Sequence, residues 1–186
     1  MARNRSRPGR YRTAPSRPGL IDFIAVRQDD ALARPLLAEL AAEYSARYGE
    51  ALERVHAGLV NYPASEFAPP QGGMLMGVLD SVAVTGGAFR RYGEVDGVET
   101  AELKRIWTDQ QHRRKGYAGL LLDALEAEIA NRGYRQIYLT TGHRQPEAEA
   151  LYLSRGYTRL KAPLSARSES YRAEVHLVPF LKDLPR

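Results

Sequence analysis

Cysteine is absent from this sequence of 186 residues. Without a thiol, the chain forms no disulfide, binds no metal through thiolates, and cannot carry an acyl group on a sulfur of its own. The histidines show no spacing typical of metal ligands, and the sequence lacks the Gly-x-Ser-x-Gly motif of a nucleophilic serine. We therefore expect no metal site and no covalent enzyme intermediate.

Long apolar runs are also missing. The apolar stretch 21–26 is far shorter than the roughly 20 residues that a membrane-spanning helix needs, and too short for a secretory signal. We expect a cytoplasmic protein without a membrane partner. The length suits one well-buried core, so a single domain is the default.

Acidic residues are missing from the first nineteen positions, which contain six arginines and are rich in Pro, Ser and Gly. We predict a disordered arm at 1–19 and one domain at 20–186. Because the six arginine charges exceed the formal net charge of +5, residues 20–186 carry about −1. A solubilising extension is therefore favoured over an arm that contacts nucleic acid, and we do not expect the domain to bind nucleic acid. The arginines are Arg3, Arg5, Arg7, Arg10, Arg12 and Arg17.

The first part of the domain alternates between strand-like and helical patterns. Residues 20–26 have strand character, and residues 31–49 form a predicted helix capped by Asp29 or Asp30. A weaker helical pattern covers 51–60, and a loop rich in Pro and Gly follows at 61–73.

Three antiparallel strands are predicted next. Residues 74–80 and 82–93 form a hairpin that turns at Asp80 and Ser81, and residues 100–108 form the third strand. The glycines at 86 and 87 indicate a bulge or a close backbone approach. Strict alternation in the third strand would place Glu102, Lys104, Ile106 and Thr108 on one face and Leu103, Arg105 and Trp107 on the other.

The remaining residues predict a crossover followed by a final hairpin. A helix runs to about residue 131, a strand covers 135–142, a short helix begins at Pro146 and ends near Gly156, and two strand-like runs follow. Because a strand, a helix and a strand succeed one another, strands 100–108 and 135–142 should be parallel. The fold class is therefore α/β.

The loop HRRKGYAG, at 112–119, joins a strand to the start of a helix. Such a loop leaves backbone amides without partners, and the helix end adds roughly half a positive charge, so the position favours an anion. The P-loop pattern and G-x-G-x-x-G are both absent. On charge alone a solvated basic turn would be the better interpretation, but the position between strand and helix favours an anion site.

Residues 106–157 resemble the acetyl-CoA-binding half of the GNAT superfamily of N-acetyltransferases. The family signature is Arg or Gln, two residues, Gly, one residue, then Gly or Ala, and Arg113, Gly116 and Ala118 fill these positions. Ala118 replaces the commoner glycine, and Gln110 stands where many members have proline. The resemblance extends over most of 20–186. It implies a mixed, centrally splayed sheet of six to seven strands flanked by helices, with acetyl-CoA as co-substrate.

The resemblance also implies which residues bind acetyl-CoA. The backbone of Ile106, Trp107 and Thr108 would pair with the pantetheine arm, and Gln145 matches a polar position that often contacts the cofactor, although helix capping explains it equally well. One amide of the 106–108 stretch would stabilise the thioester oxygen. Arg113 would belong to the pyrophosphate site, and the backbone amides that follow it would bind the pyrophosphate: those of Arg114, Lys115, Gly116, Tyr117, Ala118 and Gly119.

Acetyl transfer to an amine needs a base and an acid. An alkylamine with a pKa near 10.4 costs roughly 4 to 5 kcal/mol to present uncharged at neutral pH. Glu102 is the predicted base, acting through water because it lies roughly 13 Å along the strand from Ile106; the alternative is an exposed carboxylate paired with Lys104 or Arg105. Tyr152 occupies the family position of the acid, and core packing is its alternative.

The acceptor is predicted to be a small-molecule amine that attacks acetyl-CoA directly in a ternary complex. Glu39, Glu43, Tyr44 and Glu50 could make a site for a small cation, or simply form a solvated helix face. Three alternatives stay open: a protein or peptide acceptor, a non-catalytic acyl-CoA sensor, and a nucleic-acid binder that uses the arm. The resemblance also leaves room for a homodimer.

Overall fold

The structure is a computed structural model that describes residues 20–164 and 176–185, so the predicted arm at 1–19 lies outside it. The described residues form one mixed sheet of seven strands and four α-helices, which confirms the α/β class. None of the helices in these two ranges is long and apolar enough to cross a membrane. The strands are β1 (Asp22–Ala25), β2 (Gly73–Leu79), β3 (Val82–Val95), β4 (Val98–Thr108), β5 (Gln136–Gly142), β6 (Thr158–Arg159) and β7 (Leu177–Asp183), and the helices are α1 (Arg34–Tyr48), α2 (Leu52–Val60), α3 (Tyr117–Asn131) and α4 (Pro146–Ser154).

The helix boundaries follow local sequence signals. The Asp30 side chain accepts a hydrogen bond from the amide of Leu32 and caps a single 3-10 turn that leads into α1. Gly49 ends α1 with a left-handed φ of 73°. The predicted loop 61–73 contains a further 3-10 turn, Ala64–Phe67, whose Phe67 is buried against the sheet.

The first four strands pair antiparallel in chain order. Asp80 and Ser81 form the predicted hairpin turn with φ values of 47° and 70°, the left-handed values that two-residue hairpins require. At the other edge β7 lies between β5 and β6 and is antiparallel to both, so the predicted final hairpin is confirmed by the pairing of β6 with β7.

The parallel pair at the centre of the sheet is short. β4 pairs with β5 only at Thr100, Ala101 and Glu102, opposite Gln136 to Tyr138. Beyond this point β4 continues to Thr108 and β5 to Gly142 without pairing with each other. The predicted central splay is thereby confirmed, and each strand keeps its other neighbour, β3 or β7.

A β-bulge in β4 changes which side chains share a face. Lys104 lies opposite Ala88 and Trp107 opposite Gly86, so Arg105 and Ile106 together face Gly87. Arg105 adopts a φ of 62°, which is uncommon for a residue with a side chain.

The predicted alternation in β4 is therefore wrong. Leu103 and Ile106 contribute to the core beneath α3, whereas Trp107 packs in the core beneath α1. The extra residue moves Ile106 onto the face of Leu103 and away from that of Glu102 and Lys104, which are joined by an ion pair. A bulge therefore occurs beside the glycine pair, but it lies in β4, opposite Gly87, and not in the strand that contains the glycines.

The sheet buries one core on each face. On one face the leucine-rich stripe of α3 packs with α4 and β7, and Leu125 is fully buried there. On the other face α1 and the 3-10 turn cover Met74, Met76 and Trp107. Both cores reach the edge of the splay, so the cleft between β4 and β5 has packed walls.

Replacing Leu125 by Ala should lower the free energy of unfolding by about 2–5 kcal/mol, because the cavity it leaves lies in a packed core. Leu120→Ala is the matched control: Leu120 is on the same helix but 46% exposed, so its truncation should change stability by about 0.5 kcal/mol or less. Urea unfolding followed by circular dichroism measures both. Equal losses would contradict the assignment of the α3 stripe to the core.

Candidate functional site

A cavity of about 430 Å³ occupies the splay between β4 and β5. We call it the splay cavity; its walls include Leu103 to Ile106 from β4, Thr140 to Gly142 from β5, and Tyr152 from α4. Strand edges that have no neighbour need hydrogen-bond partners for their amides and carbonyls. The splay cavity therefore suits a ligand with an extended, amide-containing arm.

The loop after β4 presents backbone amides at the start of α3. A 3-10 turn, Gln110–His112, follows the strand, and Arg114 and Gly116 then take left-handed φ values of 60° and 85°. The carbonyl of Gly116 accepts from the amides of Gly119 and Leu120, but the amides of residues 114–118 donate no hydrogen bond within the described chain. Successive free amides at a helix start form a nest for an anion such as a pyrophosphate.

The side chain of Arg113 holds this loop through hydrogen bonds to β4 and α1. Its Nε donates to the carbonyl of Thr108 at 3.1 Å, and its Nη2 donates to Oε2 of Glu43 at 2.7 Å. The guanidinium thus ties the loop to the end of β4 and to α1. Both of these contacts of the guanidinium are made to the protein, so the free groups of this loop are the backbone amides that follow Arg113.

Tyr152 lies on the α4 wall of the splay cavity. Its ring packs against Tyr157 and Phe180, both with centroids 5.7 Å away, and only 6% of the residue is exposed. Burial raises the pKa of the phenol above its usual value, and Tyr44 adds to this effect. Tyr152 therefore keeps its proton at neutral pH.

The profile of the Acetyltransferase (GNAT) family matches residues 33–157, well over half of the chain. The chain belongs to the GNAT family of acetyltransferases. No curated protein sequence matches it. GNAT enzymes transfer an acyl group from acyl-CoA, so the predicted enzyme class, an acyl-CoA-dependent N-acyltransferase, is confirmed.

Solved structures support the fold. A Klebsiella pneumoniae protein provisionally assigned as an acyl-CoA N-acyltransferase is 25% identical, with a TM-score of 0.65 over 89% of this chain and 98% of that one. A GNAT family acetyltransferase from Staphylococcus aureus is 15% identical, with a TM-score of 0.68 over 89% and 100%. A GNAT family acetyltransferase from Elizabethkingia anophelis, solved with acetyl-CoA bound, is 14% identical, with a TM-score of 0.59 over 88% and 98%.

The predicted base, Glu102, lies away from the splay cavity. It lines a second cavity of about 1140 Å³, between α2 and the β3–β4 hairpin, which we call the hairpin cavity. Glu102 is only 3% exposed, and its two oxygens accept from Arg90 Nε at 2.8 Å and from Lys104 Nζ at 2.9 Å. The alternative prediction was an exposed carboxylate paired with Lys104 or Arg105. Glu102 is buried and not exposed, but it does pair with Lys104.

Of the three β4 residues predicted to pair with pantetheine, Ile106 is part of the bulge, and Trp107 and Thr108 follow it. Ile106 lines the splay cavity, while the Trp107 indole is buried and donates to Glu39 at 2.9 Å. The Thr108 hydroxyl shares a hydrogen bond of 3.0 Å with that of Thr85. These side chains anchor the strand to α1 and β3, which leaves the backbone as the part that could pair with a ligand.

Gln145 connects the end of β5 to the start of α4. Its Oε1 accepts from the hydroxyl of Thr141 at 2.8 Å and from the amide of Gly142 at 3.1 Å. The side chain makes no capping hydrogen bond with α4, so the capping alternative is wrong. Since Gln145 also lines the splay cavity, it supports the β5 wall.

An ionic chain that was not predicted crosses the open end of the splay. Glu43, which binds Arg113, also binds Arg47 at 3.0 Å; Arg47 continues to Glu147 at the start of α4. The guanidinium of Arg144, just before α4, also donates to the backbone carbonyl of Arg47 at 2.6 Å. These ion pairs join α1 and α4 to the loop 112–119, which we call the anion loop, although the three segments lie far apart in the sequence.

Arg105 and Gln28 are two further residues that sequence reasoning missed. Arg105 donates to Gln28 Oε1 and to the carbonyl of Leu59, each at 2.7 Å, and Gln28 donates to the carbonyls of Val60 and Tyr62 at 2.9 and 3.0 Å. They connect the bulge to the carboxyl end of α2. No local signal indicates such contacts between distant segments.

Gly116→Ala should weaken acetyl-CoA binding about fivefold: alanine disfavours the left-handed conformation by about 1 kcal/mol, so the free loop relaxes away from it and binding must restore it. Lys115→Ala should change the affinity less, since the backbone provides most of the site. Isothermal titration calorimetry measures both.

Gly133→Ala is the matched control for this strain. Gly133 lies just past the other end of α3 with a φ of 91° and open space around it, as Gly116 has. It should lower stability similarly without changing affinity. A greater loss of affinity for Lys115→Ala than for Gly116→Ala would contradict a backbone nest.

Proposed function

We propose that this GNAT enzyme transfers the acetyl group of acetyl-CoA to a primary amine of a small molecule, by direct attack in a ternary complex. The observation that carries the proposal is the continuity of the site. The anion loop stands where β4 meets α3, the unpaired part of β4 leads from it into the sheet, and Tyr152 lies on the wall of the same splay cavity.

The proposal assigns acetyl-CoA to this path. The amides of residues 114–118 would hold the pyrophosphate, whereas the amide of Gly119, which was also predicted to do so, already donates to the Gly116 carbonyl. The backbone of residues 106–108 would pair with the pantetheine amides. What supports this arrangement is the set of undonated amides in the loop and the unpaired edge of β4. Acetyl-CoA supplies the acetyl group as a thioester, which an uncharged amine can attack.

Tyr152 is proposed as the acid that protonates the departing sulfur. A phenol that is protonated at neutral pH can donate its proton to the departing sulfur as negative charge develops on that atom. The splay cavity brings the Tyr152 side chain into the same space as Ile106. Core packing, the alternative role, is present too, since the ring contacts Tyr157 and Phe180.

Glu102 stays a prediction for the base. Both of its oxygens already accept hydrogen bonds from cations, so taking a proton would weaken two ion pairs. The reason for choosing it, a strand face shared with Ile106, does not hold after the bulge.

A peptide or protein amino group is the second candidate acceptor. The hairpin cavity favours it, because this larger space shares Gly58 and Tyr62 with the splay cavity and could admit a longer chain. The smaller volume of the splay cavity, about 430 Å³, favours a small molecule. Initial rates with matched panels of amines and of lysine-containing peptides separate the two, and a preference for peptides would overturn the small-molecule proposal.

The remaining alternatives have their own tests. A non-catalytic sensor would bind acetyl-CoA and acetylate no member of either panel. A nucleic-acid binder would lose a salt-dependent affinity when residues 1–19 are deleted. The cytoplasmic location and a homodimer stay predictions.

Tyr152→Phe should lower kcat by about 100-fold or more, the usual contribution of a general acid, and leave the KM for acetyl-CoA within about twofold. Steady-state kinetics with a saturating amine measures the effect. Tyr134→Phe is the control, because Tyr134 is also buried and its hydroxyl donates only to the carbonyl of Gln71, away from the splay cavity. Unchanged turnover in Tyr152→Phe would remove the phenol from the mechanism.

A further inference from the structure

We propose that Glu50 receives the ammonium group of the acceptor and takes its proton, a role that rests on the proposed function. Among the described residues that line the splay cavity, Glu50 is the only carboxylate. Tyr152 and Ile106 line the same cavity, whereas Glu102 and Glu66 line the hairpin cavity. A base must share the space in which the amine meets the thioester.

The backbone holds Glu50 at a fixed point of the wall. Gly49 ends α1 in a left-handed conformation, and the hydroxyl of Ser45 donates to the carbonyl of Glu50 at 2.6 Å. Two residues later α2 begins at Leu52. Glu50 is half-buried at this junction, so its carboxylate combines a supported position with contact to water, into which a proton can leave.

The surrounding side chains suit a cationic amine on an apolar stem. The rings of Tyr44, Tyr48, Tyr62 and Phe67 line the splay cavity beside Glu50. Aromatic faces attract ammonium groups and also pack against hydrocarbon. The recognised class is therefore a primary alkylamine or arylalkylamine.

The cations of the cavity restrict the acceptor further. Lys104 is balanced by Glu102, and Arg105 donates to Gln28 and to the Leu59 carbonyl. Arg54 lines the same cavity and has no ion-pair partner in the described ranges. It would repel a second positive charge, so we expect monoamines to be preferred over diamines. The titratable and charged groups that line the cavity with Glu50 are Tyr44, Tyr48, Arg54, Tyr62, Lys104, Arg105 and Tyr152.

In the proposed reaction Glu50 and Tyr152 transfer different protons: Glu50 takes one from the amine, and Tyr152 gives one to the sulfur. Glu50 accepts the proton that makes the amine neutral and later releases it to water. The nitrogen then forms its bond to the acetyl carbon as the carbon–sulfur bond breaks. The sulfur gains a proton from Tyr152, and Tyr152 regains one, through water, from the nitrogen that becomes the amide.

The test compares Glu50→Gln with the wild type over pH 6 to 10, using the best monoamine of a panel that includes butylamine and 2-phenylethylamine. At pH 7, Glu50→Gln should lower kcat/KM by about 100-fold or more, since a general base typically contributes this much. The loss should shrink as the pH approaches the amine pKa of about 10.4, where the acceptor deprotonates by itself. Glu50→Asp should restore part of the activity.

Two matched variants and a binding measurement make the result decisive. Glu53→Gln removes an exposed carboxylate at the start of α2, outside the splay cavity, and should resemble the wild type. A pH-dependent loss in Glu102→Gln with none in Glu50→Gln would overturn the inference, as would equal losses for Glu50→Gln at pH 7 and pH 10. All variants should bind acetyl-CoA like the wild type by calorimetry.

Failure of the wild type to acetylate any amine would refute the proposed function itself, whereas amine turnover with full activity in Glu50→Gln would refute only the role of Glu50.

Discussion

The early end of the pairing between β4 and β5 is the constraint on which the site depends. Two parallel strands that pair at three positions and then separate leave a row of amides and carbonyls that the protein does not satisfy by itself. The gap persists because each strand is held by its outer neighbour and by a packed core on both faces. Such unpaired strand edges at the centre of a sheet can pair with an extended ligand that carries amides of its own, which is why we propose pantetheine there.

The bulge at Arg105 and Ile106 contributes to this separation, since a bulged strand bends and twists more strongly. Its left-handed residue is not a glycine, so the conformation must be stabilised by contacts. Arg105 provides them by donating to Gln28 and to the Leu59 carbonyl, which connects the bend to the end of α2. The bend of β4 and the position of the end of α2 are thereby coupled through one buried side chain.

Much of the fold follows from local sequence signals. The leucine stripe of α3, the turn at Asp80 and Ser81 and the strand–helix–strand succession each predict one element or connection, and all are confirmed. The anion loop was also predictable, because its amides depend only on a strand that ends and a helix that begins. The faces of β4 were not, since a bulge shifts the alternation by one residue and leaves only a weak trace, the glycine pair. The surroundings of Glu102 and Glu50 depend on which helices cover which end of the splay, and that is set by tertiary packing.

Glu102 stays a prediction for the base, but the bulge in β4 shows why strand position alone is a weak reason for choosing one. Both oxygens of Glu102 accept hydrogen bonds from cations, Arg90 and Lys104, so the carboxylate already has structural partners. Acid and base must also approach the reacting atoms from different sides, because the proton leaves the nitrogen and another reaches the sulfur. Tyr152 comes from α4 on one face of the sheet and Glu50 from the α1–α2 junction on the other. A cleft that opens through the sheet is the arrangement that lets both faces reach one bond.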